Sequence, residues 1–215
     1  MKRKSGTNRL PFAILYEDRD VIVVDKPAGL LTTQTRAKET NTVEALLNDY
    51  IRKGQWKSSR HVWLVHRLDR ETSGVMMFAK SEAVAEWFRS NWGEFTEKTY
   101  LARVTGELAE PAGVFESYLR DDPKTMKVKS VKNPEYGKFA RTEWRRLSVE
   151  GGTTLVEVTL KSGRKNQIRV HFAEAGHPLV GDEKYGGPRA SRLYLHSQKL
   201  RFRHPHTRDW LEFVS

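Results

Sequence analysis

The sequence predicts an α+β fold. Strand-like segments outnumber helical ones, the two kinds do not alternate regularly, and no internal repeat or low-complexity linker divides the chain. Its 215 residues are enough for one well-buried core. The organisation expected is a basic flexible tail over 1–12, then a single domain over 13–215.

The elements follow in order. Val21–Val24 reads as a strand, broken by Lys26-Pro27-Ala28-Gly29. Asn41 with Glu44 resembles a capping box, and Val43, Leu46, Leu47, Tyr50 and Ile51 form one helical stripe that Gly54 stops. His61–Val65 and Val75–Ala79 are apolar strand candidates on either side of HRLDRETSG, residues 66–74. Ser81 caps a helix over Ala83–Trp92, with Val84, Trp87, Phe88 and Trp92 on its buried side and Gly93 at its end. Lys98–Val104 is a strand with Tyr100, Ala102 and Val104 on one face. Residues 111–140, rich in proline and lysine, are expected to form an irregular insertion or hairpin. Thr153–Leu160 is a strand. Gly163 then makes a turn, and Asn166–Ala175 a helix with Ile168, Phe172 and Ala175 inward. Gly176 and Pro178 mark its end. Leu193–His196 and Trp210–Val214 complete the set as late strands.

Composition narrows the function. With no cysteine, disulfides, thiolate metal sites and cysteine nucleophiles are excluded, and an intracellular protein fits best. No signal peptide or membrane-length apolar run occurs, so a soluble, cytoplasmic protein is expected. The net charge of +11 is clustered. Residues 184–208 carry seven Lys/Arg and no acid, and 120–146 carry nine against four acids. Basic stretches interleaved with aromatics suit a phosphate backbone with base stacking. The seven histidines make no zinc spacing, and P-loop, dinucleotide and G-x-S-x-G motifs are absent.

Two constellations carry chemistry. Asp69, between Arg67 and Arg70, opens a loop that continues through Thr72 and Ser73 to Gly74. A carboxylate beside cations stays ionised and can act as nucleophile or base, although an isolated loop aspartate is more often a turn residue. Arg164, Lys165 and Arg169 cluster at the start of the last helix, where N–H groups also favour an anion. Spacing alone leaves an anion site and a solvated helix start equal. Tyr100 joins the site only if it faces the same cleft as Asp69.

These residues resemble one family. HRLDRETSG is similar to the H-R-L-D-x-x-T-S-G signature of the RluA family of pseudouridine synthases. VIVVDKPAGL (21–30), EKTYLARV (97–104), GRKNQIRVH with GHPLVGDEKY (163–171 and 176–185) and LHSQKLRFRHP (195–205) resemble its other segments, in the family's order. The resemblance implies a mixed, mostly antiparallel central sheet with flanking helices and a central cleft. It implies isomerisation of uridine to pseudouridine within ribosomal or transfer RNA, without cofactor or metal. By the same likeness Asp69 is the catalytic carboxylate and Arg169 pairs with it. Tyr100 stacks on the uracil and assists proton removal. Arg67 supports the extruded base or fills its place. Thr72, Ser73 and Gly74 shape the loop, while Arg164, Lys165 and Asn166 complete substrate binding. Asn166 departs from the family, which often has histidine there. An amide still donates and accepts, so activity is expected to persist. The S4-type RNA-binding module of many members is not expected here. The chain is expected to act as a monomer, without an obligate protein partner or membrane. Two rivals remain at this stage. A non-catalytic RNA-binding module has no use for Asp69, Tyr100 and Arg169 together, and a glycosidase or nuclease needs a metal cluster or paired acid and base.

Overall fold

The computed structural model describes residues 10–34, 39–53, 55 and 57–215. Among these residues eleven strands form one sheet: β1 (Ala13–Glu17), β2 (Val21–Lys26), β3 (Trp63–Leu64), β4 (Ser73–Ala79), β5 (Thr96–Thr105), β6 (Ala112–Asp122), β7 (Lys127–Val131), β8 (Lys138–Glu150), β9 (Thr153–Leu160), β10 (Leu195–Arg203) and β11 (Trp210–Val214). The order is β1-β2-β4-β10-β5-β9-β8-β6-β7, with β3 beside β4 and β11 beside β10. All pairings are antiparallel except β4 with β10, which meet at Ser73–His196 and Gly74–Ser197. Helices α1 (Val43–Arg52), α2 (Glu82–Phe95) and α3 (Gln167–Glu174) flank the sheet. The α+β expectation with a mixed, mostly antiparallel sheet holds.

Apolar continuity explains the centre. Val21–Val24 and Val75–Ala79 are 0 % exposed, because both faces of β2 and β4 are covered. On one face Ile22, Val24, Met76 and Phe78 pack with Leu47 of α1 and Phe172 of α3. On the other, Val21, Val23, Val75 and Met77 pack with Val84, Ala85 and Phe88 of α2. Burying each large side chain contributes roughly 1.5–3 kcal/mol.

Several boundaries move. The α1 cap is Thr42, whose hydroxyl accepts from Ala45 N at 3.1 Å, not Asn41. Val43, Leu47 and Ile51 are buried, but Leu46 is half-buried and Tyr50 exposed, its hydroxyl donating to Glu17. The stop assigned to Gly54 lies outside the described residues, as does most of the tail assigned to 1–12. Ser81 caps α2 as expected, accepting from Val84 N. The helix nevertheless continues past Gly93, kinking at Asn91, whose amide donates to the Trp87 carbonyl. Trp87 and Trp92 are only half-buried. Residues 111–140 are not irregular: β6 and β7 form a regular hairpin that leads to β8. Ala175 is exposed, because α3 ends at Glu174.

Candidate active site

The loop bearing Asp69 joins β3 to β4, as its apolar flanks suggest, and the KPAGL loop cradles it. Lys26, 0 % exposed, donates from Nζ to the carbonyls of Leu30 at 2.7 Å, Pro27 at 2.9 Å and Arg70 at 3.0 Å. Gly29 N donates to the same Arg70 carbonyl at 2.8 Å. Thr32 Oγ1 donates to Leu68 O at 2.7 Å and accepts from Leu68 N at 3.2 Å. Two distant sequence motifs thus become one rigid unit. Burial pushes the Lys26 ammonium down to about 8, partly offset by Glu71 and Asp69.

Gly74 ends the loop for a steric reason. Its φ is +110°, and a Cβ there would lie 2.2 Å from the Ser197 carbonyl oxygen of β10. Ser73 Oγ lies 2.9 Å from His196 Nδ1 and accepts from Arg192 at 3.4 Å. Ser73 and Gly74 therefore join β4 to β10 and do not line the cavity.

A cavity of about 390 Å³ lies beside this loop. It brings together Arg67, Asp69 and Thr72 from the loop, Tyr100 from β5, and Arg164, Lys165, Asn166 and Arg169 from the start of α3. Burial, followed by the Asp69 charge, pushes the Tyr100 hydroxyl upward, so it stands as a neutral phenol. A neutral phenol suits stacking and is a poor proton acceptor.

Arg169 does not take Asp69 as its hydrogen-bond partner. It grips Asp182 with Nε at 2.7 Å and Nη2 at 2.6 Å, and Asp182 is 1 % exposed. Burial works against the Arg169 charge, but Asp182, with a smaller contribution from Asp69, holds its pKa above the usual arginine value. The expected Arg169–Asp69 pair is thus an electrostatic neighbour relation, and Asp182 is the anchor. Nor is Asp69 clasped by Arg70, which pairs with Glu39 at 2.6 Å.

Asn166 occupies the left-handed region at φ 53°, a conformation asparagine tolerates. Its Nδ2 donates to Tyr185 Oη at 2.9 Å, and Val128 N of β7 donates to the same oxygen at 2.9 Å. The Arg169 guanidinium lies 5.1 Å from the Tyr185 ring centroid. Asn166 therefore connects α3, through Tyr185, to the β6–β7 hairpin. Lys165 pairs with Asp121 of that hairpin, and Arg164 Nε donates to Phe139 O at 2.9 Å.

Sequence reasoning missed part of the lining: His66, Arg89, Trp92 and Lys98. Met77 N donates to His66 Nε2 at 3.1 Å, which places the ring proton on Nδ1, a buried atom without a partner. Burial and the Lys98 charge push His66 down to about 3. The His66 ring lies tilted against Trp92, with ring centroids 4.8 Å apart. The K-x-Y alternation was the available signal for Lys98, since it puts that residue on the face of Tyr100. Among the described residues, Asp18, Asp20 and His204 are near enough to hold a cation, but none lines the cavity. Asp18 there already accepts from Asp20 N, Val21 N and Tyr16 Oη. Sequence spacing does not reveal this group, because the fold brings its members together from distant segments. No helix among the described residues is long and apolar enough to cross a membrane.

The chain is similar to known proteins along most of its length. A family model described as RNA pseudouridylate synthase matches residues 20–174. The chain is 37 % identical over 201 residues to the dual-specificity RNA pseudouridine synthase RluA of Yersinia pestis, covering 89 % of this chain and 92 % of that protein. It is 35 % identical over 220 residues to tRNA pseudouridine synthase C of Vibrio cholerae, covering 91 % and 87 %. It is also 35 % identical to ribosomal large subunit pseudouridine synthase D of Nitrosomonas europaea, covering 92 % of this chain but 60 % of that longer protein. The solved structure of human RNA pseudouridylate synthase domain containing 4 shares the fold, with a TM-score of 0.77 at 24 % identity over 94 % of this chain and 87 % of that one.

Proposed function

Because the chain belongs to the RluA family of RNA pseudouridine synthases and so isomerises uridine to pseudouridine in RNA, we propose that Asp69 carries the reaction in the cavity beside the β3–β4 loop. The observation that supports this reading is the meeting of Asp69, Tyr100 and Arg169, from three separated segments, around one cavity of about 390 Å³. In this reading the target uridine leaves its stack, at a cost of roughly a few kcal/mol, and enters the cavity. Arg67, exposed at the rim, supports the extruded nucleotide or fills its vacated place. Tyr100 stacks on the uracil as a neutral phenol. Arg169, fixed by Asp182, adds positive potential beside Asp69. Thr72 and Asn166 shape the wall, and Arg164 and Lys165 stand at the phosphate side.

The RNA backbone runs along the basic stretches, where Lys124, Lys127, Lys132 and Lys138 are exposed. Ribosomal and transfer RNA are the proposed substrates, since relatives are named for each. The proposal has a monomer act without an obligate protein partner, in the cytoplasm.

The test is Asp69→Asn on unmodified ribosomal and transfer RNA transcripts. No pseudouridine forms while RNA binding survives. Retained turnover refutes the assignment, and free uracil or strand scission redirects it to a different reaction.

A further inference from the structure

Lys98 lines the cavity with a charge that no acid compensates among the described residues, and its chemistry has no part in the reaction as proposed. It is 9 % exposed. Among the described residues its ammonium makes no hydrogen bond or ion pair. Its neighbours are the Trp92 ring, 5.2 Å from Nζ to the centroid, and the neutral imidazole of His66. A buried ammonium without an acceptor costs several kcal/mol. A cavity wall that keeps such a group is short of an oxygen, which a ligand can supply.

The position selects which oxygen. Lys98 and Tyr100 are two residues apart on one face of β5, about 7 Å along the strand. A base lying against Tyr100 therefore brings its edge towards Lys98. The nucleotide's phosphates remain joined to the RNA on both sides and must stay at the cavity mouth, beside the exposed Arg67, Arg164 and Lys165. Lys98 stands behind them, with apolar and aromatic neighbours.

We propose that Lys98 Nζ donates to a ring carbonyl oxygen, O2 or O4, of the extruded uracil and stabilises the negative charge that develops on the ring. The inference rests on the uridine-isomerising reading above. When N1–C1′ breaks, the bonding pair leaves with the uracil, as a uracil anion whose charge is shared by N1, O2 and O4. C1′ becomes electron-deficient and is stabilised on the sugar side. C5 then attacks C1′, the C5 proton departs and N1 gains one, so every atom is retained. A cation at a carbonyl oxygen favours the first step. An ammonium has three donors on a flexible stem and can follow the ring as it turns, whereas a planar guanidinium is fixed in direction.

The experiment compares wild type with Lys98→Met on unmodified ribosomal and transfer RNA transcripts made with uridine, 2-thiouridine or 4-thiouridine. Pseudouridine formation is read under single-turnover conditions, and RNA binding is read separately. Lys98→Met is expected to lower the rate roughly 100- to 1000-fold, the range for losing one donor to a developing anion, and to leave RNA binding unchanged. Sulfur at the contacted position should slow wild type and have little further effect on the variant. Lys98→Gln carries the same comparison should Lys98→Met fail to fold. A wild-type rate in the variant overturns the inference and leaves the function standing. So do thio effects equal in both proteins, or a rate loss matched by lost RNA binding. If wild type forms no pseudouridine in any transcript, the functional reading fails and this inference falls with it.

Discussion

Replacing Asp182 by alanine should be among the most destabilising single changes in the molecule. The carboxylate is 1 % exposed and takes two charge-assisted hydrogen bonds from Arg169, at 2.7 and 2.6 Å. It also accepts from Tyr185 N at 3.3 Å, which caps the short turn at 183–185. Without it the Arg169 guanidinium, with its side chain 10 % exposed, is left as a buried charge whose nearest compensation is Asp69. Breaking such a pair costs roughly 3–5 kcal/mol. For a chain of this size that is about 6–20 °C in Tm, at 2–4 °C per kcal/mol. Urea denaturation at pH 7 measures the loss. A cycle with Arg169→Met separates the ion pair from the cap, because removing both charges together avoids the orphan guanidinium. The double variant Arg169→Met/Asp182→Ala should be more stable than Asp182→Ala alone. A loss below about 1 kcal/mol for Asp182→Ala, or a double variant no better than the single, would refute the anchor assignment.

Three further outcomes follow from the geometry. Burial lowers Lys98 to about 8 from its ordinary 10.5, so the unfolded chain binds more protons between those values and wild-type stability rises as pH increases from about 8 to 10.5; Lys98→Met flattens that rise and gains up to about 3 kcal/mol at pH 7 in urea melts. Gly74→Ala drives a Cβ into the Ser197 carbonyl and should cost more than about 4 kcal/mol, whereas Gly29→Ala, at φ +86° with nothing within 4 Å, should cost only about 1–2 kcal/mol; thermal melts of the pair distinguish a clash from backbone strain. Tyr185→Phe removes the acceptor shared by Asn166 and Val128 and should cost about 1–3 kcal/mol, with faster hydrogen exchange at the Val128 amide as the local readout.

Local pattern carried much of the fold. Thr153–Leu160 is a strand to the residue, Ser81 caps its helix, and Tyr100, Ala102 and Val104 share a buried face, because strand alternation and capping are properties of neighbouring residues. The β6–β7 hairpin was less legible because most of its residues remain exposed or half-exposed, so little apolar alternation marks it. The α1 cap shifted by one residue, since Asn41 and Thr42 both offer a capping oxygen.

The site divides in the same way. The sequence by itself determined that Asp69 stands between two arginines on a loop between two apolar strands, and that the family motifs occur in order. Those follow from residue type and spacing. Only the tertiary structure decided who holds whom. Arg169 is anchored by Asp182, 13 residues on, and not by Asp69. Ser73 and Gly74 serve the β4–β10 junction, where backbone approach leaves no room for a Cβ. Lys98, which reads as an ordinary strand lysine, lies buried in the cavity wall because Trp92 of α2 closes over it. Burial and ion pairing depend on which distant segments meet, and that is settled only when the sheet brings the β3–β4 loop, β5, β10 and α3 around one cavity.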